Sequence, residues 1–143
     1  MQRKILHVIG AMNRGGVETW LMHVLRAIDP AKFSFHFLVH TSAQSAYDDE
    51  IRSLGAQIHH CGSPRNPIKY ARQFKRILRE YGPFDVVHSH VYLFSGFTLR
   101  LAKEAGVPIR IAHSHTALKQ KRFQIARLTY EQLMRNWIAR YSA

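Results

Sequence analysis

Two short segments carry imidazoles at a spacing that can do chemistry: His88-Ser89-His90 and His113-Ser114-His115-Thr116. In extended backbone, residues i and i+2 point to the same side, so each pair can aim both rings at one pocket. Such pairs can ligate zinc, pack structurally against loops, or hydrogen-bond a polar ligand such as a sugar or a phosphate. Hydrolytic metal sites usually add carboxylates, and these segments supply neither a carboxylate nor a supporting acceptor, so no metal is expected.

A third segment, Gly10-Ala11-Met12-Asn13-Arg14-Gly15-Gly16-Val17-Glu18, leads from an apolar run into a helical pattern. Glycines let backbone approach a ligand closely, and a helix N-terminus presents free N–H groups, which together suit a phosphate or another anion. The same glycines also serve a tight turn that needs only conformational freedom. The spacing of Gly10 and Gly15 nearly fits a P-loop, but Gly16-Val17 stands where Lys-Ser/Thr should be. Nothing there would hold a terminal phosphate and magnesium, so a P-loop kinase or NTPase is not expected.

The acidic candidates are thin. Asp48, Asp49 and Glu50 fall in the first turn of a short helix, where carboxylates favour the dipole. Asp85 comes early in a strand, away from the ligand end, and reads as structural. The basic residues are more prominent. Lys69, Arg72, Arg76 and Arg79 share one helical face, and Lys119, Lys121, Arg122, Arg127, Arg135 and Arg140 scatter along the last helix. A solvated face, an anionic lipid surface and a nucleic acid all fit such charge. No nucleic-acid module is recognisable and the aromatics alternate into the core, so nucleic acid is not the expected partner.

The elements that must position these residues alternate between two periods. Strands are predicted at 5–9, 33–39, 56–60, 84–88 and 108–112, and helices at 17–28, 47–54, 68–81, 93–105 and 118–141. Asp29-Pro30 and Gly82-Pro83 stop two of the helices, while Asn66-Pro67 opens another. Strands alternating with helices imply βαβ units in a parallel sheet, expected in the order 3-2-1-4-5, with ligands at the carboxyl ends of the strands. The fold class is α/β, a Rossmann-like open sheet with helices on both faces.

The chain of 143 residues carries 21 lysines and arginines against 9 acidic residues, a formal charge of +12. That length suits one domain burying roughly 68–70% of its unfolded surface. A lone cysteine, Cys61, excludes an internal disulfide scaffold and suits a reducing, cytoplasmic setting. No apolar run approaches the ~20 residues that span a bilayer.

The order GGVE, then FDVVHSH, then GVPIRIAHSHT resembles the N-terminal, acceptor-side half of a family 4 glycosyltransferase, over residues 4–117 and more loosely beyond. Such GT-B enzymes are retaining and metal-independent, and move a sugar from a nucleotide-sugar to an acceptor. The resemblance implies that Gly15 and Gly16 approach the donor diphosphate and the acceptor. It implies that His115 touches the transferred sugar, with Thr116 beside it, and that His88, His90 and His113 line the acceptor side. It implies no cofactor beyond the nucleotide-sugar substrate, and a glycan or lipid-linked acceptor at the cytoplasmic membrane face. Lys69, Arg72, Arg76 and Arg79 would face the lipid. The family's glutamate-bearing donor domain is expected to be missing from residues 1–143, leaving the chain inactive or nearly so by itself. The competing expectation is a stand-alone, non-catalytic flavodoxin-like module that binds an anion or a nucleotide.

Overall fold

The computed structural model describes residues 1–114 and 125–143. Strand β1 (Arg3–Ile9) leads into α1 (Gly16–Ala27), followed by β2 (Phe33–Val39), α2 (Asp48–Ser53) and β3 (Gln57–His60). Then come α3 (Pro67–Tyr81), β4 (Val86–Ser89), α4 (Ser95–Glu104), β5 (Ile109–Ala112) and α5 (Ile125–Tyr141). The five strands form one sheet in the order β3-β2-β1-β4-β5, and every pair is parallel. The chain therefore steps outward from β1 to β3 and returns to the other side of β1 at β4. The reversal leaves a crevice between the carboxyl ends of β1 and β4, where loops run in opposite directions.

Each face of the sheet buries its own core. Leu6, Val8, Leu38 and Val87 pack under α3 and α4 through Tyr70, Phe74, Ile77, Leu99 and Ala102. On the opposite face Ile9, Phe35, Phe37 and Val39 meet Leu21, Met22 and Leu25 of α1 and Ile51 of α2. Helix α3 shows why the sequence folds this way locally. Its buried residues Tyr70, Phe74, Ile77 and Leu78 recur at i, i+4, i+7 and i+8. The Asn66 side chain accepts the Lys69 N–H at 3.0 Å, and Pro67 holds the first turn. Fully burying a side chain such as Phe74 contributes about 2–3 kcal/mol. The opposite side of α3 leaves Lys69, Arg72, Arg76 and Arg79 exposed.

Two joints tie α5 down. Gly96 of α4 lies against the Met134 carbonyl of α5, and the Arg100 guanidinium sits 4.8 Å from the centre of the Trp137 ring. At the edge of the sheet Arg110 is 9% exposed and donates to the carbonyls of Tyr141 (2.7 Å), Val107 (2.6 Å) and Pro108 (2.9 Å). Its backbone also exchanges hydrogen bonds with Ala143, at 2.8 and 2.9 Å.

The structure corrects several element boundaries. Strand β1 begins two residues earlier than expected, at Arg3, and β4 starts at Val86, two residues later; Asp85, just before it, accepts from the Arg3 guanidinium (2.9 Å) and the Lys4 N–H (2.8 Å). A single 3-10 turn, Tyr92–Phe94, precedes α4, which begins at Ser95. Of the last helix, residues 118–124 lie outside the described residues. Its described part leaves Leu128, Tyr130 and Leu133 exposed.

Candidate functional site

Ladder hydrogen bonds that run past the strand ends build the site. His90 donates its backbone N–H to the Val8 carbonyl at 2.8 Å, and His113 donates to Ser89 at 2.9 Å. Both residues are thus held just beyond the carboxyl ends of β4 and β5. Register then decides which side chains meet. Phe37, His7, His88 and Ile111 are partners across β2, β1, β4 and β5, so they form one row on one face. His90, two residues past His88, points to that same face.

The outcome is a cluster of four imidazoles. Ring centres are 4.1 Å apart for His88 and His90, 5.5 Å for His90 and His113, and 5.4 Å for His88 and His113, whose planes are within 6° of parallel. His7 joins from β1, with its Nδ1 3.3 Å from Nε2 of His90. Trp20 of α1 sets its ring edge-on to His113 at 5.5 Å and remains 42% exposed. His88, His90 and His113, expected from their spacing, are therefore brought together. His115 and Thr116 lie outside the described residues.

Sequence reasoning missed His7 and Trp20. The available signal was a polar residue inside an apolar run in the strand predicted to neighbour the fourth. Burial, helped by the charge of His88, pushes the His7 imidazole down to about 3, so the ring is neutral in ordinary buffers. Its Nε2 is buried without a hydrogen-bond partner among the described residues.

Ligand nitrogens of His7, His88 and His90 lie within 4.8 Å of one another, which raises the question of a metal. The donor chemistry fits poorly. Among the described residues no carboxylate joins the group, and the nitrogen of His7 turned away from His90 lacks the acceptor that normally supports a ligating histidine. The arrangement suits imidazoles that hydrogen-bond a polar ligand.

The glycine turn opens α1, the helix whose Trp20 meets the histidines. Gly15 is the N-cap of α1 and Gly16 its first residue. Gly55 and Gly106 have φ of +80° and +81°, whereas neither Gly15 nor Gly16 enters the left-handed region. A Cβ at Gly16 would meet open space, while one at Gly15 would collide with the Glu18 carboxylate. Turn geometry thus does not require glycine at position 16, and the open space there leaves the backbone at the start of α1 accessible. Beyond His90 the chain takes φ 51° at Tyr92, a non-glycine residue in a costly conformation. A cavity of about 420 Å³ opens there, lined by Val91, Tyr92, Leu93 and Phe94 on one side and Arg127, Tyr130 and Glu131 on the other.

Residues 15–143 match the family described as Glycosyl transferase 4-like domain. The chain belongs to that family. It is 41% identical over 116 residues to the putative glycosyltransferase EpsF of Bacillus subtilis (strain 168), covering 80% of this chain and 30% of the relative. It is 31% identical over 118 residues to the capsular polysaccharide biosynthesis glycosyltransferase CapH of Staphylococcus aureus, covering 82% of this chain and 32% of CapH. The chain thus spans about a third of the length of these relatives. Among solved structures it is similar to Acinetobacter baumannii MurG, with a TM-score of 0.62 at 12% identity, over 97% of this chain and 39% of MurG. The lipopolysaccharide outer core galactosyltransferase WaaB gives 0.61 at 15% identity, over 92% and 37% of the respective chains. These structural likenesses bear on the fold, a Rossmann-like parallel α/β sheet of the GT-B kind.

Proposed function

We propose that this domain is the acceptor-side lobe of a retaining, metal-independent glycosyltransferase that moves a sugar from a nucleotide-sugar to a glycan or lipid-linked acceptor in polysaccharide assembly. The observation that carries the reading is the gathering of three strand-end histidines, against Trp20 of the helix that the Gly15-Gly16 turn opens, in a family 4-like sheet. In this reading the free N–H groups at the start of α1 stabilise the leaving diphosphate, a task that elsewhere falls to a metal. His88, His90 and His113 orient hydroxyl or phosphate oxygens of the acceptor. His115, with Thr116, contacts the transferred sugar. The chain is inactive without a donor-binding lobe, because reaction in this architecture occurs between two lobes.

The test is transfer from a panel of nucleotide-sugars by the whole protein to which this domain belongs. Activity that persists in a chelator, with the donor's anomeric configuration kept, supports the reading. His115→Ala should lower kcat by about 10²-fold or more, the loss typical of one positioned catalytic group. An unaltered rate would remove His115 from the reaction.

A second part of the reading concerns location. Lys69, Arg72, Arg76 and Arg79 are all exposed on α3, and none is ion-paired with an acidic side chain among the described residues. A face of this kind suits an anionic membrane surface, at about 1 kcal/mol per cation. Among the described residues no helix is long and apolar enough to cross a membrane. Replacing the four with glutamine should abolish co-sedimentation with phosphatidylglycerol vesicles at low salt. Undiminished sedimentation would show that α3 is a solvated face.

A further inference from the structure

We propose that His7 is a positioning residue that holds His90 in the tautomer protonated on Nδ1, so that His90 presents a hydrogen-bond donor and not a base. The significance of this for transfer rests on the reading of His90 as a cleft residue; the tautomer itself does not.

The geometry leaves few choices. Nδ1 of His7 and Nε2 of His90 are 3.3 Å apart, so one of them carries the shared proton. His7 is 4% exposed and enclosed by Phe35 and Phe37, with ring centres at 4.7 and 5.5 Å. A neutral ring has one N–H. Placed on Nε2 of His7, that N–H would be buried with no acceptor among the described residues. Placed on Nδ1, it is satisfied by His90, and only a lone pair stays unmatched. Buried N–H groups without acceptors are rarer in folded proteins than under-used acceptors. The second arrangement is therefore selected. Nε2 of His90 must then accept, and a neutral His90 carries its own proton on Nδ1.

The backbone makes the pairing rigid. His7 sits in the middle of β1, and the His90 N–H is anchored to the Val8 carbonyl next to it. Because burial holds His7 neutral down to about 3, the arrangement does not titrate away in ordinary buffers. With its second nitrogen already engaged, His90 has no lone pair left to take a proton from a substrate hydroxyl. Whatever group meets Nδ1 of His90, from the protein or from a ligand, must therefore be an acceptor, such as a phosphate, ring or carbonyl oxygen.

The experiment is long-range proton–nitrogen NMR of the chain labelled with ¹⁵N-histidine, near neutral pH and without donor or acceptor. The expected spectrum gives His90 a protonated Nδ1 and a bare Nε2, with His7 likewise protonated on Nδ1. A His90 protonated on Nε2 overturns the proposal. In a folded His7→Phe variant the His90 proton should redistribute toward Nε2; an unchanged His90 tautomer there also overturns it. Should that variant fail to fold, the wild-type spectrum alone decides. Since no transfer is measured, a negative result leaves the proposed enzyme activity standing, and failure of that activity leaves the tautomer untouched.

Discussion

Arg110 satisfies three backbone carbonyls from one buried guanidinium, a geometry that a planar fork provides and an ammonium does not. Arg110→Lys should therefore destabilise the chain by about 2–4 kcal/mol in urea unfolding, since carbonyls lose partners in a dry setting. Cys61 behaves in the opposite manner. Burial pushes its thiol up to about 12, so it is a packing residue and not a nucleophile. It should resist thiol reagents at mild pH until urea unfolds the chain, and prompt labelling in the folded state would contradict that. The histidines show what residue type and spacing reveal. His88, His90 and His113 were legible because pairs two apart in a strand share a side. His7 was not, because in a strand buried on both faces polar and apolar positions do not alternate, and its role appears only once β1 and β4 are in register.

At the scale of elements, most strands and helices were readable because punctuation and period agreed. Strand β2 was predicted with the bounds it has, Phe33–Val39. The start of α4 was misjudged because Leu93, Phe94 and Phe97 keep a helical spacing through the 3-10 turn, and a positive φ at Tyr92 leaves no trace in hydrophobic period. The contact between α4 and α5 was also invisible, since a glycine within a helix says nothing of what approaches it. A Cβ at Gly96 would stand 2.5 Å from the Met134 carbonyl and 3.1 Å from Cβ of Trp137. Gly96→Ala should thus cost about 1–3 kcal/mol by forcing the helices apart, despite alanine's better helix propensity. Thermal unfolding of the variant reads this directly, and a raised Tm would show that the helices have room.

The whole molecule is a strongly basic chain whose interior holds neutral histidines. His36 and His59 share a hydrogen bond of 2.9 Å, and burial lowers both to about 4. Burial lowers His40 to about 4 and His7 to about 3. The unfolded chain binds protons at these rings near 6.5, before the folded one does, so stability is full above that pH. It falls as the pH drops from about 6.5 toward 4, by up to about 1.4 kcal/mol per pH unit for each histidine involved. Urea midpoints measured across that window should decline on acidification, and His36→Phe with His59→Leu should flatten the slope. A midpoint independent of pH would mean that the rings are protonated in the fold. Sequence alone displayed the histidine count but not this sensitivity, because burial of each ring is settled by sheet register and by the helices laid over it.

The hydrogen bonds between Arg110 and Ala143 carry the sheet one backbone pair beyond β5. A residue just past the end of a helix, with no ladder to join, ordinarily exchanges its amide hydrogen with solvent quickly. Here the Ala143 N–H donates to Arg110 at 2.9 Å and the Arg110 N–H returns the bond at 2.8 Å. Deuterium should therefore enter the Ala143 amide as slowly as it enters the strand beside it, which makes this backbone pair a reporter of how firmly α5 is fastened to the open edge at β5.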